Sequence, residues 1–272
     1  MEFKSTYVSH KPDAKGRVSY SQEEHQVWKK LFDRQRVILP HRACDEFMVG
    51  LNRLDLDSEK IPQLPDISAK LKAMTGWQVQ AVSALISARE FFELLASRRF
   101  PAATFIRREE ELDYVQEPDI FHEIFGHCPM LTNPVYAEFV HTYAVKVLQF
   151  PEDQWPLFQR MFWFTVEFGL IQTNYGMRAY GGGILSSISE TPYSVESDVP
   201  MRVLFDPVVV FRTPYRIDML QQIYFVIDGY QALYDFVTQD IGVLIQRAKE
   251  LGEFPPVFPV EGLNPSIHIH AC

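Results

Sequence analysis

The chain has 272 residues, 47% hydrophobic and 14% aromatic, enough for one sizeable packed core. A net charge of −9 and a pI near 5.4 argue against a nucleic-acid partner, whose binders carry a basic footprint. Residues 1–16 are polar, no apolar run is long enough to span a bilayer, and Cys44, Cys128 and Cys272 lack framework spacing. A cytoplasmic protein without a membrane segment or disulfide framework is expected.

The pattern along the chain is mostly helical. Ser21 stands ahead of 22–39 with Glu24 three positions on, a capping-box signature, and Val27, Leu31 and Phe32 recur at helical spacing. A second helix follows Pro40, with Cys44, Phe47, Met48 and Leu51 on one side. Residues 68–74 form a short helix ended by Gly76, and 87–96 carry Phe91, Leu94 and Leu95 on one stripe. Residues 100–107 are more extended, 118–127 and 135–148 are helical, and 154–174 form one long helix. A turn-rich stretch covers 175–183. The Val208-Val209-Val210 run suggests short strands over 201–211, and 217–251 return to helix. With no linker, repeat or low-complexity block, these elements describe a mainly α protein with small β elements. It forms a single catalytic domain over 1–272, with 1–20 a flexible N-terminal segment.

Within the helix at 118–127, His122, Glu123 and His127 interrupt an apolar run. Histidine in such a setting is either a satisfied core residue or a metal ligand, and the spacing favours metal. HExxxH has one residue more than the zinc-protease pattern HExxH. On a regular α-helix, residues four apart sit about 40° apart and residues five apart about 140° apart. Gly126 offers a way to recover the geometry, by letting the chain swing His127 round at a helix end that Pro129 also marks.

Glu167 is the one charge in Met161–Ile171. A buried, unpaired carboxylate costs several kcal/mol or neutralises, so it needs a cation. A buried arginine or lysine is one candidate; a metal held by His122 and His127 is the other. Two histidines and a carboxylate make the facial triad of non-haem iron(II) oxygenases.

PDIFHEIFGHCP followed by FWFTVEFGL, with IPQLPDIS at 61–68, SALISAREFF around 83–92, FIRR at 105–108 and YGGGILSSISE at 180–190, resembles the pterin-dependent aromatic amino acid hydroxylases. The resemblance runs from about Tyr20 to Leu251 and is nearest to the short, single-domain bacterial phenylalanine hydroxylases. It implies phenylalanine 4-monooxygenation: L-phenylalanine becomes L-tyrosine with non-haem iron(II), a tetrahydropterin and O2, through an iron(IV)-oxo species. One oxygen atom ends on the ring and the other on the pterin.

By the same resemblance, His122, His127 and Glu167 hold iron. Arg107 clamps the substrate carboxylate, Pro118 and Trp163 wall the ring, and Gly183, Ser186 and Ser187 meet the substrate backbone groups. Glu190 pairs with Arg107 to hold this region. Ile86, Phe91 and Glu123 contact the pterin, Phe91 by stacking. Val115 and Phe162 depart from the long-chain pattern, where threonine and tyrosine are usual. No regulatory domain or C-terminal tetramerisation helix is expected, and the chain should be a monomer or a dimer.

Other readings remain open at this level. Tryptophan or tyrosine could be the substrate. A zinc metallohydrolase could use HEIFGH with Glu123 as base. A helical binding module could hold a structural metal, but such sites are usually closed by cysteines and Cys128 has no paired cysteine nearby. Gly181-Gly182-Gly183 lacks the strand-to-helix context and following lysine of a phosphate loop. The His268–Cys272 tail is only a compositional hint of metal binding.

Overall fold

Side-chain caps open several of the helices. The computed structural model describes Ser5 and residues 7–258. Helix α1 (Gln22–Ile38) opens with both halves of the capping box: Glu24 N–H donates to Ser21 Oγ at 3.2 Å and Ser21 N–H to Glu24 Oε2 at 2.7 Å. It buries Val27, Trp28, Leu31 and Phe32. Helix α2 (Asp45–Leu54) follows, then α3 (Leu64–Thr75), which stops at Gly76 with φ 80, a left-handed position suited to glycine. Strand β1 (Gln78–Val82) and strand β2 (Arg99–Ala103) pair in parallel, joined by α4 (Ala88–Ala96), which Ser87 caps.

A π-helix (Phe121–His127), α5 (Pro134–Val147) and α6 (Trp155–Phe162) form the middle of the molecule. Helix α6 runs directly into a second π-helical segment, Trp163–Glu167. Then come β3 (Leu170–Thr173), β4 (Gly176–Ala179), the short α7 (Gly182–Leu185), α8 (Glu190–Glu196) and β5 (Met201–Leu204). The chain continues through α9 (Pro207–Arg212), β6 (Ile223–Ile227), α10 (Tyr230–Thr238) and α11 (Ile241–Leu251). The second sheet has the order β4-β3-β6-β5, with β3 antiparallel to β4 and both β3 and β5 parallel to β6. Among the described residues no helix is long and apolar enough to cross a membrane.

Three expectations are corrected. The helix expected over 154–174 ends at Glu167, and the chain turns at once into β3. Gly169 permits that turn, since a Cβ there would lie 2.1 Å from the Tyr180 ring. Val208, Val209 and Val210 are helical, because Asp206 accepts the N–H groups of Val208 (2.8 Å) and Val209 (3.0 Å) and Pro207 starts the helix. Their strand propensity yields to a strong local cap. Ile223–Ile227, expected as helix, is a strand buried at all five positions, where an unbroken apolar run suits an inner strand. Among the described N-terminal residues, Ser5, Tyr7 and His10 contact the loop after β2. Ser5 Oγ donates to Glu117 (2.5 Å), Tyr7 donates to Glu111 (2.6 Å) and stacks on Phe105 at 4.6 Å, and Thr104 Oγ1 donates to the His10 carbonyl (2.7 Å). The His268–Cys272 tail lies outside the described residues.

Candidate metal centre and substrate site

The helix type resolves the odd histidine spacing. In a π-helix the hydrogen bonds run from residue i+5 back to residue i, so residues five apart stand one turn above each other. Phe121–His127 is such a helix, which brings His122 and His127 to the same face. Gly126 therefore does something other than swing the chain end. A Cβ there would lie 2.7 Å from the Gly182 carbonyl, so glycine allows α7 to pack onto the histidine helix. The back of the helix is aromatic: Phe121 and Phe125 stack at 4.6 Å, Trp28 packs edge-on against Phe121 and Phe32 against Phe125. That packing anchors the helix in the core and leaves the imidazoles on the other side.

Glu167 arrives from the second π-helix, closed by Phe168 N–H donating to the Trp163 carbonyl at 2.8 Å. Its carboxylate lies 3.1 Å from His127 Nε2 and 3.5 Å from His122 Nε2, and the two Nε2 atoms are 3.0 Å apart. Donors about 2.1 Å from one ion and at right angles would stand about 3.0 Å apart, so the three groups fit a shared first-row metal ion.

The electrostatics agree. Burial lowers His122 to about 4, which keeps the imidazole neutral as a ligand must be. Burial alone would raise Glu167, but the two imidazoles beside it and the Gly183 N–H hold it below the usual carboxylate range. Glu123 also lies near the histidines, the three offering ligand atoms within 4.8 Å of one another. Burial and the nearby Glu167 charge push its pKa well above the usual carboxylate range. Glu167, which meets both Nε2 atoms and is anionic, is the better third ligand.

The His122 tautomer follows from Ser186. The single hydroxyl proton of Ser186 goes to the Gly182 carbonyl (2.8 Å), so the hydroxyl oxygen accepts from His122 Nδ1–H (3.0 Å). That leaves the Nε2 lone pair facing Glu167 and His127. His127 Nδ1 is buried without a partner among the described residues, and its ring lies 5.0 Å from Phe100. The triple glycine is a close-approach device: a Cβ on Gly182 would sit 2.4 Å from the His127 ring, and one on Gly181 would sit 2.3 Å from the Glu167 carbonyl.

Arg107 is buried and grips Asp119 with two side-chain hydrogen bonds, Nε at 2.8 Å and Nη2 at 2.9 Å. Its Nη1 makes no hydrogen bond to a described residue. The expected Arg107–Glu190 pair does not form. Glu190 instead accepts from the Gln221 backbone N–H (3.0 Å) and from Tyr224 OH. Asp119 was missed in the sequence, although an acidic residue three before a helical N–H is a recognisable cap: it accepts from His122 N–H at 3.0 Å. Gln221 and Tyr215, which contact Trp163, lie far away in sequence and carried no signal.

Trp163 is buried beside Phe168 (4.4 Å) and stacks on Tyr215 (4.8 Å). Ser187 Oγ accepts the Glu190 N–H at 3.1 Å. Pro118, directly before Asp119, is half-buried. Phe91 is buried edge-on to Phe162 (5.2 Å), the residue before Trp163, while Ile86 is half-buried ahead of α4.

Comparison with known proteins agrees with this arrangement. The family model of the biopterin-dependent aromatic amino acid hydroxylases matches residues 2–248. The phenylalanine-4-hydroxylase of Pseudomonas aeruginosa is 51% identical over 253 residues, 93% of this chain and 96% of that one. The structure of phenylalanine hydroxylase from Legionella pneumophila superposes with a TM-score of 0.91 at 71% identity, over 93% of this chain and all of that chain. The Chromobacterium violaceum phenylalanine hydroxylase with bound oxidised Fe(III) gives 0.86 at 42% identity, over 93% of this chain and 94% of that one. This chain belongs to the biopterin-dependent aromatic amino acid hydroxylases.

Proposed function

We propose that this chain is a phenylalanine 4-monooxygenase, hydroxylating L-phenylalanine to L-tyrosine with iron(II), a tetrahydropterin and O2. The convergence of His122 Nε2, His127 Nε2 and the Glu167 carboxylate within 3.0–3.5 Å of one another carries the reading. When bound there, iron(II) together with the reduced pterin supplies the electrons and dioxygen activation that an aromatic hydroxylation requires.

The residues of the chain bind, orient and exclude water. Arg107, oriented by Asp119, offers its Nη1 hydrogens to the amino acid carboxylate. Trp163 and Pro118 border the space for the ring. The backbone of Gly183 and the hydroxyl of Ser187 are the groups nearest to serve the substrate backbone, since the Ser186 hydroxyl is engaged by His122. Glu190 acts from behind, through Gln221 and Tyr224. Ile86 and Phe91 border the pterin, Phe91 through its ring face. Glu123, whose burial and nearness to Glu167 favour its neutral form, approaches the pterin through water or a hydrogen bond.

Cytoplasmic location and a monomeric or dimeric state complete the reading. Cys44 and Cys128 are buried free thiols, which suits a reducing compartment.

The test is turnover of metal-stripped protein reloaded with iron(II), given tetrahydropterin and O2, and offered phenylalanine, tyrosine and tryptophan separately. Tyrosine formed from phenylalanine, dependent on iron and pterin, is expected. Absence of any hydroxylated product would overturn the reading.

A further inference from the structure

The indole N–H of Trp163 donates to Gln221 Oε1 at 3.0 Å, and both side chains are buried. It is the only polar atom of that ring, and burying it without an acceptor is costly. Gln221 is itself tightly constrained. Its Nε2 donates to the carbonyls of Arg216 (2.8 Å) and Met219 (3.1 Å), and its backbone N–H donates to Glu190 Oε1 (3.0 Å). Two carbonyls on one side of the amide fix its orientation. A flipped amide would set its NH2 against the indole N–H and its oxygen against two carbonyls, so Oε1 faces Trp163. Tyr215, from the same loop, stacks on the indole at 4.8 Å with 23° between the planes. The loop between α9 and β6 therefore grips Trp163 by its face and by its edge. The same Glu190 oxygen takes Tyr224 OH on β6, so Gln221 joins that loop, α8 and the Glu167 helix.

We propose that Gln221 is a positioning residue for the hydroxylation: it sets the plane of the Trp163 indole and, through it, the pose of the aromatic substrate. The inference rests on the reading of Trp163 as a wall of the substrate ring site. Gln221 touches neither substrate nor metal. Its loss leaves the iron ligands as they are and frees the wall to tilt. The consequence is weaker substrate binding and more reduced pterin oxidised without tyrosine formed.

The test compares wild type, Gln221→Leu, Trp163→Phe and the double variant, each loaded with iron. Phenylalanine binding is measured by anaerobic calorimetry, iron by metal analysis, and tyrosine formed per pterin oxidised by product assay. Gln221→Leu is expected to weaken phenylalanine binding by about tenfold and lower the tyrosine-to-pterin ratio, with full iron content. In the Trp163→Phe background, which has no indole N–H, the same change should cost less than about twofold. An equal loss in both backgrounds, or none in either, overturns the proposal while wild-type binding leaves the substrate reading standing. Wild type that binds no phenylalanine overturns both. Should Gln221→Leu not fold, Gln221→Met, unbranched and of similar length, makes the same comparison.

Discussion

Asp119 ties Arg107 to His122. One carboxylate accepts the Arg107 guanidinium at 2.8 and 2.9 Å, the Arg107 N–H at 2.9 Å and the His122 N–H at 3.0 Å. Burial would raise its pKa, but Arg107 and these N–H groups hold it below the usual range. The proposed substrate clamp and a proposed iron ligand thus share one anchor. Asp119→Ala strands a buried guanidinium, which costs about 3–5 kcal/mol. Urea unfolding of the metal-free protein reads that loss. A variant as stable as wild type would show that Arg107 finds another partner.

Among the described residues, Glu167 is the one carboxylate that meets both imidazoles, and Glu167→Ala removes it. The expected result is protein that retains less than about a tenth of wild-type iron after desalting, with no turnover, because two neutral nitrogens form an incomplete site. Normal iron content with turnover would sink the triad.

Ser186→Ala tests the support behind a proposed ligand. The His122 Nδ1–H loses its acceptor, and the imidazole can rotate or change tautomer. Removing such a partner typically costs about 10–100-fold in metal affinity. Competition with a chelator measures this directly, independent of turnover. Unchanged affinity would mean that packing alone orients the ring.

How much of this was legible in the sequence depends on whether the controlling contacts were local. The Ser21–Glu24 box and the Gly76 stop involve neighbours in sequence, and each is where reading predicts it. His122, His127 and Glu167 stood out because charged or polar residues in apolar helices need a reason. The π-helices did not. A 3.6-residue period sends residues five apart to different faces, and nothing local in HEIFGH announces a change of hydrogen bonding. That choice is tied to contacts distant in sequence: Gly126 against Gly182, and Phe121 and Phe125 against α1. Arg107 was assigned Glu190 as partner, but it pairs instead with Asp119, twelve residues away.

Gly182→Ala probes that close approach. Its Cβ would lie 2.4 Å from the His127 ring, well inside contact, so either α7 or the imidazole must move. Overpacking of this kind costs about 1–3 kcal/mol. The displacement falls on a proposed ligand, so iron retention is expected to drop along with the melting temperature. A loss of stability with iron affinity intact would place the adjustment in α7 alone.

Glu190 gives the pH test. Burial lifts its pKa from 4.5 to about 7, outweighing the donors Tyr224 and Gln221, which favour the charged form. The folded state therefore binds this proton more tightly than the unfolded state. The stabilisation is full below pH 4.5, shrinks as pH rises towards 7, and is gone above it. Glu190→Gln stays neutral and lacks that dependence. Other titrating groups are common to both proteins, so the informative quantity is the difference between their unfolding free energies. Wild type should lose up to roughly 3 kcal/mol relative to Glu190→Gln between pH 4.5 and 7, measured by urea unfolding of both metal-free proteins. A flat difference would mean that the Tyr224 and Gln221 hydrogen bonds hold Glu190 ionised in spite of its burial, and that the Gln221 backbone is fastened by a charge.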